Sequence, residues 1–343
     1  MSQQEDTKST SKIAFVTGGT GFLGSHLVEE LLRRGYDEVR CLVRSRQKWL
    51  QPLDVTPVRG DLSDIDVLWE ALRDVDVVYH VAGVTRAQTW EAFYDANVRA
   101  TLNLMGAIKT VRPDLDRVLV TSSLAAVGRC SEGIATEETK LTPISRYGRS
   151  KAQMEEALRD AHDMTASYQE ELPITIVRPP AVYGPRDRDI LTFFQAVNKG
   201  ICPVVGGGSE KALSLVHVRD LVRGMVDAAE VPDTVGETYF IGSEGAYSWN
   251  EVKEATLEAL DSWAITIPVP GPLIGAVGAA AEWWGWLTGS YPPLNREKAR
   301  EIRHGCTICA VDKAQRDFGY QQQIPLGEGI RETIDWYRKR DWL

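Results

Sequence analysis

The chain has 343 residues, of which 43% are hydrophobic, and a formal net charge of −9 with an isoelectric point near 5.3. This length exceeds one minimal domain and gives ample material for a large α/β core with a smaller appendage. An acidic chain repels phosphate backbones, so the composition argues against a nucleic-acid partner.

The N-terminal residues 1–11 are polar and lack an apolar core segment, which predicts a disordered tail instead of a signal peptide. No uninterrupted apolar run is long enough to span a bilayer, and we expect a cytoplasmic protein. The five cysteines are scattered and do not resemble a disulfide framework, so a reducing compartment fits best. Cys306 and Cys309 form one C-x-x-C pair, but a zinc site needs about four ligands. We therefore predict neither a metal site nor a redox role.

The first half of the chain alternates short apolar runs with amphipathic segments. An apolar run at 13–16 ends at a glycine cluster and predicts a buried parallel strand. Leu23, Leu27 and Leu31 follow at a four-residue spacing, on one face of a predicted helix. Residues 39–43 predict the second strand. This strand–helix–strand order requires a right-handed crossover and therefore a parallel sheet.

Residues 17–24, TGGTGFLG, join the first predicted strand to the first predicted helix. Gly18, Gly21 and Gly24 allow a tight turn, a close approach to a pyrophosphate and close helix–strand packing, respectively. The N-terminus of the helix offers free N–H groups to phosphates. With a strand before it and a helix after it, the loop predicts a Rossmann-type dinucleotide site. The predicted cofactor contacts in this loop are Gly18, Thr20, Gly21, Phe22 and Leu23.

The end of the second predicted strand indicates the preferred cofactor. An acidic residue at this point binds the ribose of NAD, whereas an arginine accommodates the 2′-phosphate of NADP. Arg44 holds the position, and no Asp or Glu takes it. The alternative is that Arg44 is a solvated surface charge. We predict NADP as the cofactor, with NAD as the alternative.

The alternation of strands and helices continues to about residue 185. Further strands are predicted at 75–82, 117–121 and 174–177, and helices at 97–108 and 147–159. We predict a dinucleotide-binding domain over 12–185 with a return segment near 214–245. A smaller substrate-binding domain is predicted from 186–213 and 246–343, over the carboxyl edge of the sheet, where open α/β sheets bind ligands.

Eight short motifs occur in a fixed order along the chain: TGGTGFLG (17–24), GDL (60–62), HVAG (80–83), NVRATLNL (97–104), TSS (121–123), YGRSK (147–151), RPPAVYGP (178–185) and HVRDL (217–221). In this order they resemble the extended short-chain dehydrogenases/reductases, also called the NAD-dependent epimerase/dehydratase family. The resemblance implies a doubly wound parallel sheet with a smaller C-terminal substrate domain. It also implies that Asp61 and Leu62 contact the adenine. By the same resemblance Val81, Ala82 and Gly83 line the cofactor and Pro179 lies near the nicotinamide; ordinary strand-end packing is the alternative for these four.

Tyr147 and Lys151 are four residues apart on a predicted helix and therefore share a face. A free tyrosine has a pKa of about 10, and a neighbouring ammonium lowers it by stabilising the phenolate. The pair suits general acid–base catalysis of carbonyl reduction. The resemblance implies that Lys151 also holds the nicotinamide ribose. A bare Y-x-x-x-K often marks a solvated helix face, but the accompanying motifs favour the catalytic interpretation.

Two further positions match the catalytic set that the resemblance implies. Ser123 follows a predicted strand, and its hydroxyl can orient a substrate oxygen for Tyr147. Ser122 is the alternative if the register slips by one residue, because adjacent strand residues face opposite sides. Asn97 matches an asparagine that supports a water relay in the family; a polar residue at a helix terminus is the alternative.

Four positions help to choose the reaction within this family. Leu124 and Ala125 follow Ser123, where family dehydratases carry two acidic residues. Leu213 and Ala181 stand where many nucleotide-sugar enzymes place an arginine and an asparagine, so charge for a diphosphate is missing. The chain is therefore most similar to the dihydroflavonol-reductase and 3β-hydroxysteroid-dehydrogenase branch, which predicts an oxidoreductase.

The substrate is predicted to be a small, fairly apolar carbonyl compound or secondary alcohol. The apolar segment 268–286 could line its pocket, contact a membrane surface or pack in the core. Two other functions stay open: a nucleotide-sugar epimerase without net redox, and a non-catalytic NADP-binding regulator. We expect a monomer or a homodimer.

Overall fold

The computed structural model describes residues 12–131, 133–161, 166–205, 212–269, 297, 300, 301 and 304–343. The predicted tail 1–11 and most of the apolar segment, 270–286, lie outside the described residues. Across the described ranges, no helix is both long enough and apolar enough to cross a lipid bilayer.

The described strands and helices alternate over the first half of the chain. In chain order the strands are β1 (Ile13–Thr17), β2 (Glu38–Val43), β3 (Thr56–Arg59), β4 (Val77–His80), β5 (Arg117–Thr121), β6 (Ile134–Ala135), β7 (Ile174–Arg178), β8 (Ala181–Tyr183), β9 (Ile201–Val205), β10 (Ala212–Leu213), β11 (Leu215–His217), β12 (Thr238–Phe240), β13 (Tyr247–Ser248), β14 (Ile265–Val269) and β15 (Ile308–Cys309). The α-helices are α1 (Phe22–Arg33), α2 (Ile65–Leu72), α3 (Trp90–Tyr94), α4 (Ala100–Val111), α5 (Arg146–Arg159), α6 (Tyr168–Glu171), α7 (Leu191–Asn198), α8 (Val218–Glu230), α9 (Trp249–Leu260), α10 (Asp312–Phe318) and α11 (Leu326–Lys339). Single turns of 3₁₀-helix cover Lys48–Leu50, Leu124–Ala126 and Pro232–Thr234, and a π-helical turn covers Asp95–Arg99.

Seven strands form one parallel sheet in the order β3-β2-β1-β4-β5-β7-β12. The interior strand β1 is buried along most of its length because helices cover both faces of the sheet. Helices α1 and α8 pack on one face, and α2, α4 and α5 pack on the other. The predicted doubly wound Rossmann-type sheet is confirmed.

The strand order reverses direction between β1 and β4, which are neighbours in the sheet. In open α/β sheets a ligand crevice forms outside the carboxyl ends of the strands at such a switch point. The loops that leave β1, β4, β5 and β7 therefore meet at one edge. These loops carry most of the residues that the sequence motifs single out.

A separate buried cluster lies outside the main sheet. It combines α7, α9 and α11, with Phe194, Ile330 and Ile334 among its fully buried members. Short strand pairs accompany it, β9 with β14 and β10 with β13. The predicted domain boundaries at 12–185, 186–213 and 246–343 stay a prediction.

The secondary structure differs from the prediction at two places. No strand was predicted at Thr56–Arg59, because β3 is an edge strand with mostly exposed side chains and gives no apolar run. The helix predicted to begin at residue 97 is interrupted there: Asn97 lies inside the π-helical turn between α3 and α4. Such turns occur frequently at functional sites.

The prediction of free, reduced cysteines was also wrong. Cys130 and Cys306 form a disulfide across 176 residues of sequence, with a Cα–Cα distance of 5.4 Å. Strand β15 pairs with β6, which brings the chain just before each strand together. Cys309, the other half of the C-x-x-C pair, is free and buried. Disulfides are rare in reducing compartments, so the cysteines no longer support that expectation.

Candidate active site

The glycine-rich loop after β1 is shaped by close backbone contacts. Gly18 has φ +78°, and a Cβ on it would lie 2.6 Å from the Ala82 nitrogen. A Cβ on Gly24 would lie 2.2 Å from the Gly18 oxygen, so neither glycine tolerates a side chain. Gly21 is the N-cap of α1, and no side chain caps this helix. The N-terminus of α1 is therefore open to a phosphate group, as a dinucleotide site requires.

The other predicted residues of this loop line the same opening. Thr20, Phe22 and Leu23 are half-buried and Gly21 is exposed. The ring of Phe22 packs edge-on against His26, with 5.9 Å between the ring centroids. The loop thus presents backbone and partly exposed side chains toward the crevice.

The segment after β4 lies directly against the glycine-rich loop. The Val81 nitrogen donates to the Thr17 oxygen at 3.2 Å, and the Ala82 nitrogen lies 3.3 Å from Thr17 Oγ1. A Cβ on Gly83 would lie 2.9 Å from Asn97 Oδ1 and 3.4 Å from Lys151 Nζ. The predicted cofactor-lining residues Val81, Ala82 and Gly83 therefore lie between the glycine-rich loop and Lys151.

Asn97 fixes this segment to helix α5. Its Oδ1 accepts from the Val84 nitrogen at 2.8 Å, and its Nδ2 donates to the Val84 oxygen at 3.0 Å and to Ser150 Oγ at 2.8 Å. The side chain is completely buried. These contacts hold Asn97 between the segment after β4 and helix α5, and it does not stand at a helix terminus as the alternative interpretation held.

His80, which the sequence analysis did not select, links the two sides of the crevice. Its Nδ1 lies 2.7 Å from Thr17 Oγ1 and its Nε2 lies 2.8 Å from Thr101 Oγ1. Thr101 Oγ1 donates to the Asn97 oxygen, so it accepts from Nε2–H, and Nδ1 then accepts from Thr17. Burial, assisted by the charge of Lys151, lowers the pKa of His80 to about 3, which keeps the ring neutral. A histidine within an apolar strand carries no sequence signal of this role.

Helix α5 brings Tyr147 to the end of β5. Ser145 caps the helix by accepting from the Gly148 nitrogen at 3.0 Å. A Cβ on Gly148 would lie 2.2 Å from the Ala125 oxygen, so the helix packs tightly on the turn that follows Ser123. Ser123 lies close enough to Tyr147 to lower the pKa of the phenol, and the Tyr147 ring packs against Phe93, with ring centroids 6.4 Å apart. A hydroxyl pair is thus assembled beside the cofactor loop.

The two serines at the end of β5 face opposite sides. Ser122 Oγ donates to Glu155 Oε1 at 2.6 Å and is buried beneath the site. Ser123 faces Tyr147, and its Oγ accepts from the Ala125 nitrogen at 3.1 Å. Alternation along the strand therefore leaves Ser123 as the hydroxyl available to a substrate.

Lys151 lies on the same helix face, where it is 5% exposed. Its Nζ donates to the Thr121 oxygen at 2.8 Å. Burial lowers the pKa of Lys151 to about 8, against the opposing effect of the Glu155 carboxylate. Lys151 therefore lies at the crevice with a pKa that is close to neutral pH.

The expectation that Lys151 depresses the pKa of Tyr147 was wrong for this structure. Burial raises the pKa of Tyr147 to about 12, and the hydrogen bond from Ser123 lowers it only in part. The carboxylates of Glu301 and Asp189 raise it further. Desolvation of the phenolate outweighs a cation whose ammonium is already engaged by a carbonyl.

Two ion pairs lie near Tyr147, and we call them the mouth pairs. Arg86 pairs with Asp189, and Arg146 Nε lies 2.7 Å from Glu297 Oε1. Glu301 accepts a hydrogen bond from Ser145, the cap of α5. The three carboxylates come from segments far from Tyr147 in sequence, and no motif identified them.

The remaining predicted cofactor contacts lie along the same edge. Arg44 directly follows β2 and is exposed. Hydrogen bonds from Ser63 lower the pKa of Asp61, and the charge of Arg44 lowers it further. The Leu62 oxygen accepts from Asn103 Nδ2 at 2.9 Å. Arg44, Asp61 and Leu62 thus lie at the β2–β3 side, away from Tyr147.

Pro179 follows β7 at the other side of the sheet. It is buried, and its oxygen accepts from the Leu124 nitrogen at 2.9 Å. It therefore adjoins the turn that carries Ser123. Within the described residues, no group of three or more His, Cys, Asp or Glu side chains could hold a metal ion.

Sequence comparisons agree with this geometry. The profile of the NAD dependent epimerase/dehydratase family matches residues 14–242. The chain is 32% identical to the ceramide reductase of Caulobacter vibrioides over 96% of each chain. It is 32% identical to a putative dihydroflavonol 4-reductase of Synechocystis, covering 96% of this chain and 95% of that one. It is 33% identical to the decarboxylating sterol-4-alpha-carboxylate 3-dehydrogenase of Dictyostelium discoideum, covering 94% and 99%.

Solved structures give the same result at the level of the fold. DesIV, the dTDP-glucose 4,6-dehydratase of Streptomyces venezuelae with NAD bound, superposes with a TM-score of 0.75 at 26% identity, covering 96% of this chain and 98% of that one. MoeE5 in complex with UDP-glucuronic acid and NAD superposes with a TM-score of 0.72 at 26% identity, covering 95% and 99%. The resemblance identified from the motifs, including the branch, is confirmed.

Proposed function

Because the chain belongs to the NAD-dependent epimerase/dehydratase family, we propose that it is an NAD(P)-dependent oxidoreductase of a carbonyl or secondary alcohol. The observation that carries this proposal is the hydroxyl pair of Ser123 and Tyr147 beside Lys151. Its substrate is proposed to be a small, fairly apolar molecule. The relatives named for a ceramide, a dihydroflavonol and a sterol carboxylate support this class.

The site residues divide the work of carbonyl reduction. A bound reduced nicotinamide cofactor supplies the hydride. The loop of Gly18 and Gly24 and the open N-terminus of α1 would hold its phosphates, and Lys151 its ribose. Ser123 orients the carbonyl oxygen, and Tyr147 donates the proton to it. With a pKa near 12, Tyr147 is protonated at neutral pH and can therefore donate this proton.

Several observations favour a reductase over a nucleotide-sugar epimerase, although the solved neighbours include enzymes of nucleotide sugars. Leu124 and Ala125 form the turn after Ser123, so no carboxylate stands there to assist elimination. Leu213 in β10 and Ala181 in β8 offer no charge to a diphosphate. The relatives of 32–33% identity carry reductase or dehydrogenase names.

We propose NADP(H) as the preferred cofactor. Arg44 stands exposed at the end of β2, where a 2′-phosphate would be accommodated. The family and the bound neighbours are named for NAD, so NAD(H) is the competing cofactor. Arg44 is the observation that favours the phosphorylated form.

The test is a panel of apolar ketones with NADPH or NADH, followed at the nicotinamide absorbance band. We expect ketone-dependent oxidation that is faster with NADPH, and a Tyr147→Phe rate lower by about two to four decades. Tyr168→Phe, on the separate helix α6, is the matched control and should keep the wild-type rate.

Two outcomes would contradict the proposal. Interconversion of UDP- or dTDP-sugars without net NADPH consumption would restore the epimerase alternative. Tight NADPH binding without turnover across the panel, and with no effect of Tyr147→Phe, would favour the regulatory protein.

A further inference from the structure

Glu155 lies one helical turn after Lys151 on α5, and its side chain is fully buried. Ser122 Oγ lies 2.6 Å from Oε1, and Arg178 donates to both oxygens, at 2.9 Å from Nε and 2.6 Å from Nη2. Arg159 Nη2 lies 3.2 Å from Oε2. Burial opposes ionisation of Glu155, yet these donors hold its pKa below the usual range. The carboxylate is therefore a fixed negative charge.

This charge connects three elements beneath the site. Ser122 directly follows β5, and Arg178 is the last residue of β7 and is 2% exposed. The carboxylate thus joins α5 to both strand ends that frame Tyr147. We call Asn97, Lys151, Glu155 and Arg178 the site floor.

The charges around Lys151 come from the elements packed on it. On α5 it has Tyr147 one turn before and Glu155 one turn after. His80 on β4 is neutral, and Arg178 on β7 is paired with Glu155. Among the described residues, the negative charge of the Glu155 carboxylate favours the protonated form of Lys151. Loss of this carboxylate would leave the lysine buried among neutral and positive groups.

We propose that Glu155 is a positioning residue for Lys151: its carboxylate, fixed by Arg178 and Ser122, keeps the buried lysine protonated and directed at the cofactor crevice. The proposal rests on the proposed function, because it assumes that Lys151 contacts the cofactor. It assigns a role to a residue that never touches substrate or cofactor itself. It also explains why a carboxylate is retained in an otherwise closed layer of the core.

The test measures NADPH affinity by tryptophan fluorescence quenching over a pH series that brackets the pKa of Lys151. Wild-type affinity should fall as pH rises through about 8, where Lys151 loses its proton. In Glu155→Gln this midpoint should fall by about one pH unit. At pH values above both midpoints, Glu155→Gln should therefore bind NADPH about tenfold more weakly than wild type.

Three variants separate charge from structure. Glu156→Gln changes the same residue type one position along α5, where the side chain is exposed, and should leave the midpoint unchanged. Glu155→Asp keeps the charge and should restore most of the wild-type midpoint. Glu155→Gln/Arg178→Gln removes both members of the buried ion pair, and serves if the single variant unfolds because Arg178 is left unpaired.

Each outcome has a defined reading. A lowered midpoint in folded Glu155→Gln supports the proposal, and so does a midpoint in the double variant below that of Arg178→Gln, because that comparison changes only the carboxylate. Folded Glu155→Gln with the wild-type midpoint overturns it, as does a double variant with the midpoint of Arg178→Gln, or failure of both variants to fold, since the carboxylate would then serve only the fold. Wild-type protein that binds neither NADPH nor NADH contradicts the proposed function instead, so the two failures are distinguishable.

Discussion

The site floor and the mouth pairs surround the same tyrosine, but they are built differently. In the floor, the side chains of Glu155 and Arg178 are 0% and 2% exposed, and they come from helix α5 and the end of strand β7. In the mouth, Arg86 and Asp189 are 33% and 63% exposed and lie 103 residues apart. Buried charges must stay paired, whereas exposed pairs contribute little energy. The floor therefore fixes the geometry of the site, and the mouth is free to vary with the substrate.

The largest stability effect is expected in the floor. Arg178→Leu would leave Glu155 buried without its main partner, at a cost of about 3–5 kcal/mol in the free energy of unfolding. Arg159→Leu is the matched control, because Arg159 contacts the same carboxylate but its side chain is 35% exposed. It should cost no more than about 1 kcal/mol. Urea denaturation followed by circular dichroism measures both; equal losses would remove the distinction between the two arginines.

An intermediate effect is expected for the covalent link near the mouth. The disulfide joins Cys130, beyond the turn after Ser123, to Cys306, close in sequence to Glu301. Its loss should cost about 2–4 kcal/mol, because it closes a long loop in the unfolded chain. Cys130→Ser, Cys306→Ser and the double variant should therefore lose the same stability under oxidising conditions. Additive losses, or two alkylatable thiols at these positions in unreduced wild-type protein, would rule out the link.

The smallest effect is expected at the mouth pairs. Arg86→Ala should lower the free energy of unfolding by less than about 1 kcal/mol, since the pair is solvent-exposed. Any functional change should fall on KM for the ketone and leave cofactor affinity unchanged. Arg99→Ala removes a comparable exposed pair, with Asp95 at 2.8 Å, and should leave KM unchanged. A large stability loss in Arg86→Ala would show that the mouth is as firmly built as the floor.

Sequence motifs identified residues whose roles depend on local geometry. Gly18 is required by its positive φ, and a four-residue helical spacing places Tyr147 and Lys151 on one face. The same reasoning could not choose between Ser122 and Ser123, because strand register depends on the neighbouring strands. The contact of Ser122 with Glu155 is what separates them.

Local sequence patterns could not predict which side chains are buried or which charged groups lie next to them. The sequence led us to expect a depressed pKa for Tyr147, because a lysine stands one turn away. Burial of the phenol instead raises the pKa of Tyr147 to about 12, and the Glu301 and Asp189 carboxylates raise it further. These two carboxylates come close to Tyr147 only when the chain folds, because their segments lie far from α5 in the sequence.

Local sequence patterns were sufficient to predict the parallel sheet, the glycine-rich loop and the Tyr147–Lys151 helix, because apolar periodicity and turn chemistry act between residues close in the chain. The Cys130–Cys306 disulfide, the π-helical turn at Asn97 and the charges facing Tyr147 became visible in the folded chain alone. These features depend on solvent exclusion and on contacts between distant segments. Neither property is encoded in the spacing of neighbouring residues.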